Sequence, residues 1–317
     1  MRSNHYTCEK IHLDTSPMLK PNFFIAGAPK SGTTSLYDYL KKHPQVYLPK
    51  KEICFFSPDL TLRTPHLRES IYLSYYTDAT NQKAIGDGFI YHMLSAKAAE
   101  EIKAFNPNAK IIMMLRNPVQ MVYSLHSQLV FNGDEPIENF EQALNAETER
   151  RSGNMIPPYH KCPLESLFYS TAANYYEQIM RFKAVFPDNQ LHIIFFEDFK
   201  FNTELEYAKV LKFLDVDEIL PESFEVINAN KSPRSKGYLN FLLAPPPFIK
   251  ALGRFIFPHH SKRREWVIDK LWNLNTKYQP RNPLTDELKL RLINIYKDDI
   301  EKLAKLMNRD LSHWLKL

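Results

Sequence analysis

Apolar positions along the chain fall into two kinds of pattern. Five short runs are nearly continuous rather than alternating: "NFFIAG" from Asn22, "QVYLP" from Gln45, "AIGDGF" from Ala84, "KIIMMLR" from Lys110 and "LHIIFFE" from Leu191. Runs of this length, rich in β-branched and aromatic residues, read as strands covered on both faces in a parallel sheet. Between them the apolar residues recur at helical spacing over Thr34–Lys42, Ser95–Phe105, Val119–Phe131, Phe140–Arg150, Ser166–Phe186 and Thr203–Leu214. Alternation of strand and helix predicts an α/β fold, a layered sheet joined by right-handed crossovers. A last helix is expected from Asp286 to Met307, with Leu288, Leu292, Ile295, Ile300 and Leu303 on its apolar stripe, lying across the sheet as a brace. Residues 57–83 and 151–165 obey neither pattern and are rich in Pro, Ser, Thr, Asn and His. In open α/β sheets such excursions gather at the carboxyl ends of strands, where ligands bind, so substrate contacts are expected there.

Composition narrows this picture. The 317 residues are 44% hydrophobic, enough for a full core. No linker, repeat or low-complexity tract marks a boundary, so an N-terminal extension over 1–20 and one domain over 21–317 are expected. Lys and Arg exceed Asp and Glu only by 41 to 36, which suits an anionic ligand and gives no sign of a nucleic-acid partner. Cys8, Cys54 and Cys162 are odd in number and lack metal-ligand spacing, so reduced thiols, no metal and a cytoplasmic location are expected. No run reaches the roughly 20 apolar residues of a membrane span. The stretch "FLLAPPPFIKALGRFIFP", 241–258, is broken by three prolines and reads as a lid or a peripheral membrane contact.

The first strand runs into "GAPKSGTT". Backbone N–H groups of such a turn and of the following helix form an anion cradle, to which Lys30 adds a point charge and Ser31, Thr33, Thr34 and Ser35 add hydroxyls. Gly32 lets the backbone approach an oxyanion. The nucleotide-triphosphatase loop places its lysine after the second glycine and its Ser/Thr on magnesium; here the lysine comes first and no metal is implied. This order resembles the 5′-phosphosulfate loop of the sulfotransferases, whose donor is 3′-phosphoadenosine 5′-phosphosulfate (PAPS) and whose product is 3′-phosphoadenosine 5′-phosphate. The resemblance implies a P-loop-like three-layer fold, a central parallel sheet flanked by helices, and runs in family order over most of the chain.

A second stretch, "RNPVQMVYS", is similar to the family's 3′-phosphate motif and carries Arg116 and Ser124 onto it, with Met121 where many relatives have a second arginine. Arginine offers a planar fork that matches phosphate. A third, "NANKSPRSKGYL", resembles the late loop that closes over the nucleotide, with Lys231, Arg234, Ser235, Lys236 and Gly237 as candidates. "KEICFF" is similar to the stretch that carries the catalytic glutamate in the glycan-sulfating branch, and Glu52 falls on it. A carboxylate there removes the acceptor proton. The branch that sulfates phenols and steroids uses a histidine instead, for which His92 stands in the corresponding region; Asp87 resembles an acidic position that orients acceptor or base. Tyr169 resembles a tyrosine ahead of the long helix in bacterial members, and His126 is expected to pack rather than react. The implied reaction moves a sulfuryl group to a hydroxyl or amine of a carbohydrate, lipid or small-molecule acceptor, in a bacterial-type enzyme without a membrane anchor. A nucleotide kinase or NTPase is the first alternative, although the strand at Lys110 ends in Arg116 where such a protein needs an acidic magnesium ligand. A nucleotide-binding protein without turnover is the second.

Overall fold

The computed structural model describes residues 19–49, 53–62, 67–158, 160–224, 231–243, 245–246, 248–249, 267, 270–271, 274–278 and 281–317. Glu52, most of the 241–258 stretch and nearly all of the N-terminal extension lie outside the described residues. In chain order the first half runs β1 (Phe23–Gly27), α1 (Thr33–Lys41), β2 (Val46–Tyr47), α2 (Glu69–Ser74), β3 (Ala84–Asp87), α3 (Ala98–Phe105), β4 (Lys110–Leu115) and α4 (Pro118–Asn132). There follow α5 (Phe140–Asn145), α6 (Glu147–Arg151), α7 (Tyr175–Lys183), β5 (Leu191–Phe195), α8 (Phe196–Phe201) and α9 (Thr203–Phe213). The last elements are β6 (Lys231–Pro233), α10 (Lys236–Leu243), β7 (Thr276–Tyr278) and α11 (Asp286–Met307).

All five expected strands form, and they make one parallel sheet in the order β2-β3-β1-β4-β5. Because successive side chains on a strand point to opposite faces, each strand feeds two cores. Phe24, Ala26, Ile111, Met113 and Leu115 pack with Ile102 of α3, Val122 and Leu125 of α4 and Ile179 of α7. Phe23, Ile25, Ile112, Met114 and Ile194 pack on the other face with Leu36 and Leu40 of α1 and Val210 and Leu211 of α9. Helices therefore cover both faces, which explains why the strand sequences are continuously apolar.

The helices differ from expectation in three places. Phe140–Arg150 divides at Ala146, and Arg150 in the second piece turns inward to a bidentate ion pair with Glu135, both Nη–Oε distances being 2.7 Å. The helix expected over Ser166–Phe186 forms only from Tyr175: the Tyr169 hydroxyl donates to Glu135 at 2.9 Å and Ser170 N–H to Glu147 at 2.9 Å, so side-chain carboxylates hold this stretch out of the helical ladder. α11 has the expected bounds, but it packs on α7 and α4 instead of lying across the sheet, and buries Ile293 and Tyr296 while Ile295 stays exposed. Among the described residues no helix is long and apolar enough to cross a membrane.

Candidate active site

The order of the sheet reverses between β1 and β4: from β1 the chain moves out to β2 and returns through β3, then passes to β4 on the other side. Ligands in open α/β sheets bind in the crevice beyond the carboxyl ends of strands at such a point. The "GAPKSGTT" turn leaves β1 and Arg116 leaves β4, so the fold brings the two candidate phosphate motifs to that crevice.

The turn has the backbone expected of a cradle. Gly27 (φ +147°) runs so close to the segment after β3 that a Cβ there would sit 2.7 Å from the Ile90 carbonyl oxygen. Lys30 is left-handed at φ +59°, an uncommon state for a residue with a side chain. Gly32 (φ +92°) is the N-cap of α1 and, lacking a side chain, brings no capping hydrogen bond to the first N–H groups of that helix. Ser31 and Thr33 are buried, while Lys30, Thr34 and Ser35 are half-buried. The Lys30 ammonium reaches Gln128 Oε1 on α4 at 3.1 Å, which aims it over the α4 surface.

Arg116 closes the other side. It donates from Nη1 to the Lys30 carbonyl at 3.1 Å and from Nη2 to Gln120 Oε1 at 3.3 Å, and its guanidinium lies over the Phe196 ring at 4.7 Å. Burial, with Arg281 next in effect, lowers its pKa from the usual arginine value. Its Nε and the hydroxyl of Ser124 are both buried without a hydrogen-bond partner among the described residues. Pro118 begins α4 and the Asn117 side chain caps it, accepting from Gln120 N–H at 3.3 Å, so Ser124 is carried on a firmly started helix. Met121 is fully buried in the core.

Two contributors were not foreseen. Phe196, the second phenylalanine of "IIFFEDF", stands just past β5, where a Gly32 Cβ would come within 3.1 Å of its ring. Its position just past a strand end was the available signal. Tyr175 at the start of α7 is fully enclosed, its hydroxyl buried without a hydrogen-bond partner among the described residues; burial raises its pKa. Nothing local in the sequence marks it, because its place depends on where α7 begins.

The late loop and the proposed acceptor residues behave differently from expectation. The basic loop contains β6, which pairs antiparallel with the later strand β7, lies against α4 and leads into α10. Arg234 Nε donates to the Thr276 carbonyl at 3.0 Å, the Ser235 hydroxyl accepts from Tyr238 N–H at 3.3 Å, and Gly237 is an ordinary helical residue; of Lys231 and Lys236 only the backbone is described. Asp87, His92 and Tyr169, expected on the acceptor side, are all buried. Asp87 accepts from the Tyr72 hydroxyl at 2.6 Å and from Phe89 N–H at 2.9 Å. His92 Nδ1 pairs with the Ser57 hydroxyl at 2.9 Å, its Nε2 stands 3.8 Å from Asp87, and Phe24, Phe56 and Phe89 surround the ring. The physical reason is that segment 53–57 and α2 roof the end of β3 with aromatic rings, Phe56 and Tyr72 among them. His126 packs as expected, against Phe140 and Tyr169.

Residues 20–232 match the family described as "Sulfotransferase domain". The chain belongs to the sulfotransferase family. A crystal structure of a sulfotransferase from Alicyclobacillus acidocaldarius superposes with a TM-score of 0.69 at 25% identity, covering 94% of this chain and 100% of that one. The membrane-associated sulfotransferase kil1 of Dictyostelium discoideum is 24% identical over 364 residues, 92% of this chain and 66% of its own length. Human carbohydrate sulfotransferase 15 is 24% identical over 276 residues, 68% of this chain and 47% of its own length. Human bifunctional heparan sulfate N-deacetylase/N-sulfotransferase 2 is 23% identical over 227 residues, 69% of this chain and 23% of its own length. The chain thus spans at most about two thirds of these curated relatives. For a sulfotransferase, an uncapped helix start, a lysine and an arginine at adjacent strand ends are suited to an anionic donor. No cluster of His, Cys, Asp or Glu able to hold a metal ion occurs among the described residues.

Proposed function

We propose that this sulfotransferase takes its sulfuryl group from PAPS and passes it to a hydroxyl or amine of a carbohydrate, with Glu52 as the base. One observation carries the donor assignment: Arg116 Nε and the Ser124 hydroxyl are buried polar groups without a partner among the described residues, one strand away from the lysine loop. Buried donors without partners are costly, and a phosphate outside the loop satisfies both. The loop and the start of α1 suit the 5′ end of the donor, while Arg116 and Ser124 suit its 3′-phosphate, the group that ATP lacks. Phe196 offers an aromatic face between them.

In the proposed step the acceptor oxygen or nitrogen forms a bond to sulfur as the bond from sulfur to the bridging oxygen breaks. The acceptor proton goes to the Glu52 carboxylate, and Lys30 offsets the charge that develops on the bridging oxygen. Leu48 and Ile53, on either side of the "PKKE" stretch, are buried. A glycan acceptor is supported by the names of two relatives, carbohydrate sulfotransferase 15 and heparan sulfate N-deacetylase/N-sulfotransferase 2. The test is turnover with labelled PAPS and a panel of glycans, lipids and small alcohols. Lys30→Ala is expected to lose both turnover and product binding, and Glu52→Gln to lose turnover while still binding 3′-phosphoadenosine 5′-phosphate. Full turnover by Glu52→Gln removes that residue as the base.

A further inference from the structure

We infer that the surface built on α10 and the chain just before β7, with Phe241, Phe248, Leu271 and Leu274 exposed on it, docks on a membrane that carries anionic lipid headgroups. The inference is independent of the donor assignment. A clasp joins the two ends of this span: Ser235 N–H donates to Asn275 Oδ1 at 2.8 Å, Asn275 Nδ2 donates back to the Ser235 carbonyl at 3.0 Å, and Arg234 N–H donates to the Asn275 carbonyl at 2.7 Å. Asn275 is buried, so these bonds satisfy an amide that water does not reach. α10 therefore starts where Leu274 arrives, and residues far apart in sequence share one base. Along the span, Phe248 is 71% exposed, Leu274 69%, Phe241 41% and Leu271 36%. Tyr238 and Phe241, three positions apart on α10, have ring centroids 6.5 Å apart, and a turn in which Ile249 N–H donates to the Pro246 carbonyl at 3.0 Å presents Phe248. Single exposed apolar residues are ordinary on a protein surface, but several large ones on one clasped span call for a partner.

Charge decides which partner. From Tyr238 to Asn275 the sequence holds six Lys and Arg against two Asp and Glu, a surplus of four in a chain whose whole surplus is five. A second copy of the chain, related by a two-fold axis, sets this positive charge against itself. Nucleic acid or a polyanionic glycan meets the charge but leaves the exposed phenylalanines and leucines in water. An anionic lipid surface satisfies both, because the boundary between headgroups and acyl chains takes apolar side chains while the phosphate layer attracts the basic ones.

The test uses the full chain, pelleted with sucrose-loaded vesicles of phosphatidylcholine alone or mixed with phosphatidylserine. The wild-type chain is expected to partition at least about tenfold more strongly onto the mixed vesicles and to leave them as salt is raised toward ~0.5 M. The double variant Phe248→Ser, Leu274→Ser is expected to lower that partition at least about tenfold, since each change removes an apolar side chain that lipid would bury, while its affinity for adenosine 3′,5′-bisphosphate stays unchanged. Phe248→Ser alone, at the most exposed of the four positions, gives a smaller loss of the same sign and serves as the test where the double variant is unstable. Equal binding of the two vesicle types, or equal binding by wild type and both variants, overturns the inference. So do two other results: binding of heparin or DNA that survives the substitutions without any vesicle binding, which marks a polyanion site, and a wild-type dimer that the substitutions dissociate without any vesicle binding, which marks a contact between copies of the chain.

Discussion

The phosphate loop depends on a few backbone conformations that specific residues permit. At Gly32, φ of +92° and an Ala Cβ pressed to 3.1 Å from Phe196 and 3.2 Å from Met114 Cε act against substitution. Gly32→Ala is expected to cost about 1–3 kcal/mol of stability and to weaken nucleotide binding at least tenfold, read by chemical denaturation and calorimetry. A variant with wild-type stability and affinity contradicts this reading of the turn. Ser124→Ala removes a hydroxyl that bonds nothing among the described residues, so the expected outcome is unchanged stability and several-fold weaker binding of adenosine 3′,5′-bisphosphate. Much of this site was legible in the sequence, because the order lysine, serine, glycine, threonine after a strand and the Arg-Asn-Pro start of a helix are local signals. Phe196 was readable only as a strand-end position.

At the scale of elements, α7 joins the site to the C-terminal helix. Asp299 on α11 accepts from Tyr176 N–H at 3.1 Å at the start of α7, the same turn that carries the enclosed Tyr175. Burial pushes its carboxyl from 3.8 up to about 6, against backbone hydrogen bonds that lower it. A folded-state value above the unfolded one means that the fold favours protonated Asp299: this contribution is complete below the unfolded value and is lost as the pH rises through about 6. Asp299→Asn is uncharged throughout, so wild type is expected to lose stability relative to the variant between about pH 4 and pH 7. Urea titrations across that range check the sign, and a constant difference contradicts it. The Glu135–Arg150 pair, with Tyr169 on the same carboxylate, ties the end of α4 to α6. Arg150→Met leaves Glu135 charged and buried, at an expected cost of about 3–5 kcal/mol, part of which Glu135→Gln recovers in the double variant. These pairings also explain why helix starts were the less legible part of the fold: Glu135 and Glu147, remote in sequence, hold residues 169–170 out of the helix that local periodicity favours.

For the whole molecule, the alternation of strand and helix was legible from the apolar runs, and the five-stranded parallel sheet follows from it. The strand order was not, since β1 gains its central place only through crossovers on both sides. That order sets the site: Lys30 and Arg116, far apart in sequence, leave adjacent parallel strands at the point where the sheet reverses direction. Asp87 and His92 leave the neighbouring β3 and are nonetheless enclosed, because the aromatic roof from Phe56 and Tyr72 closes over that strand end. The acceptor side is therefore expected to depend on the Glu52 segment more than on either of these residues. The measurement that bears most directly on the proposed chemistry is transfer of labelled sulfur from PAPS to a glycan acceptor, with magnesium chelated and release of 3′-phosphoadenosine 5′-phosphate followed in parallel. The expected result is equimolar sulfated product and nucleotide from the wild-type chain and neither from Lys30→Ala; hydrolysis of ATP dependent on magnesium, with no sulfur transfer to any acceptor, contradicts it.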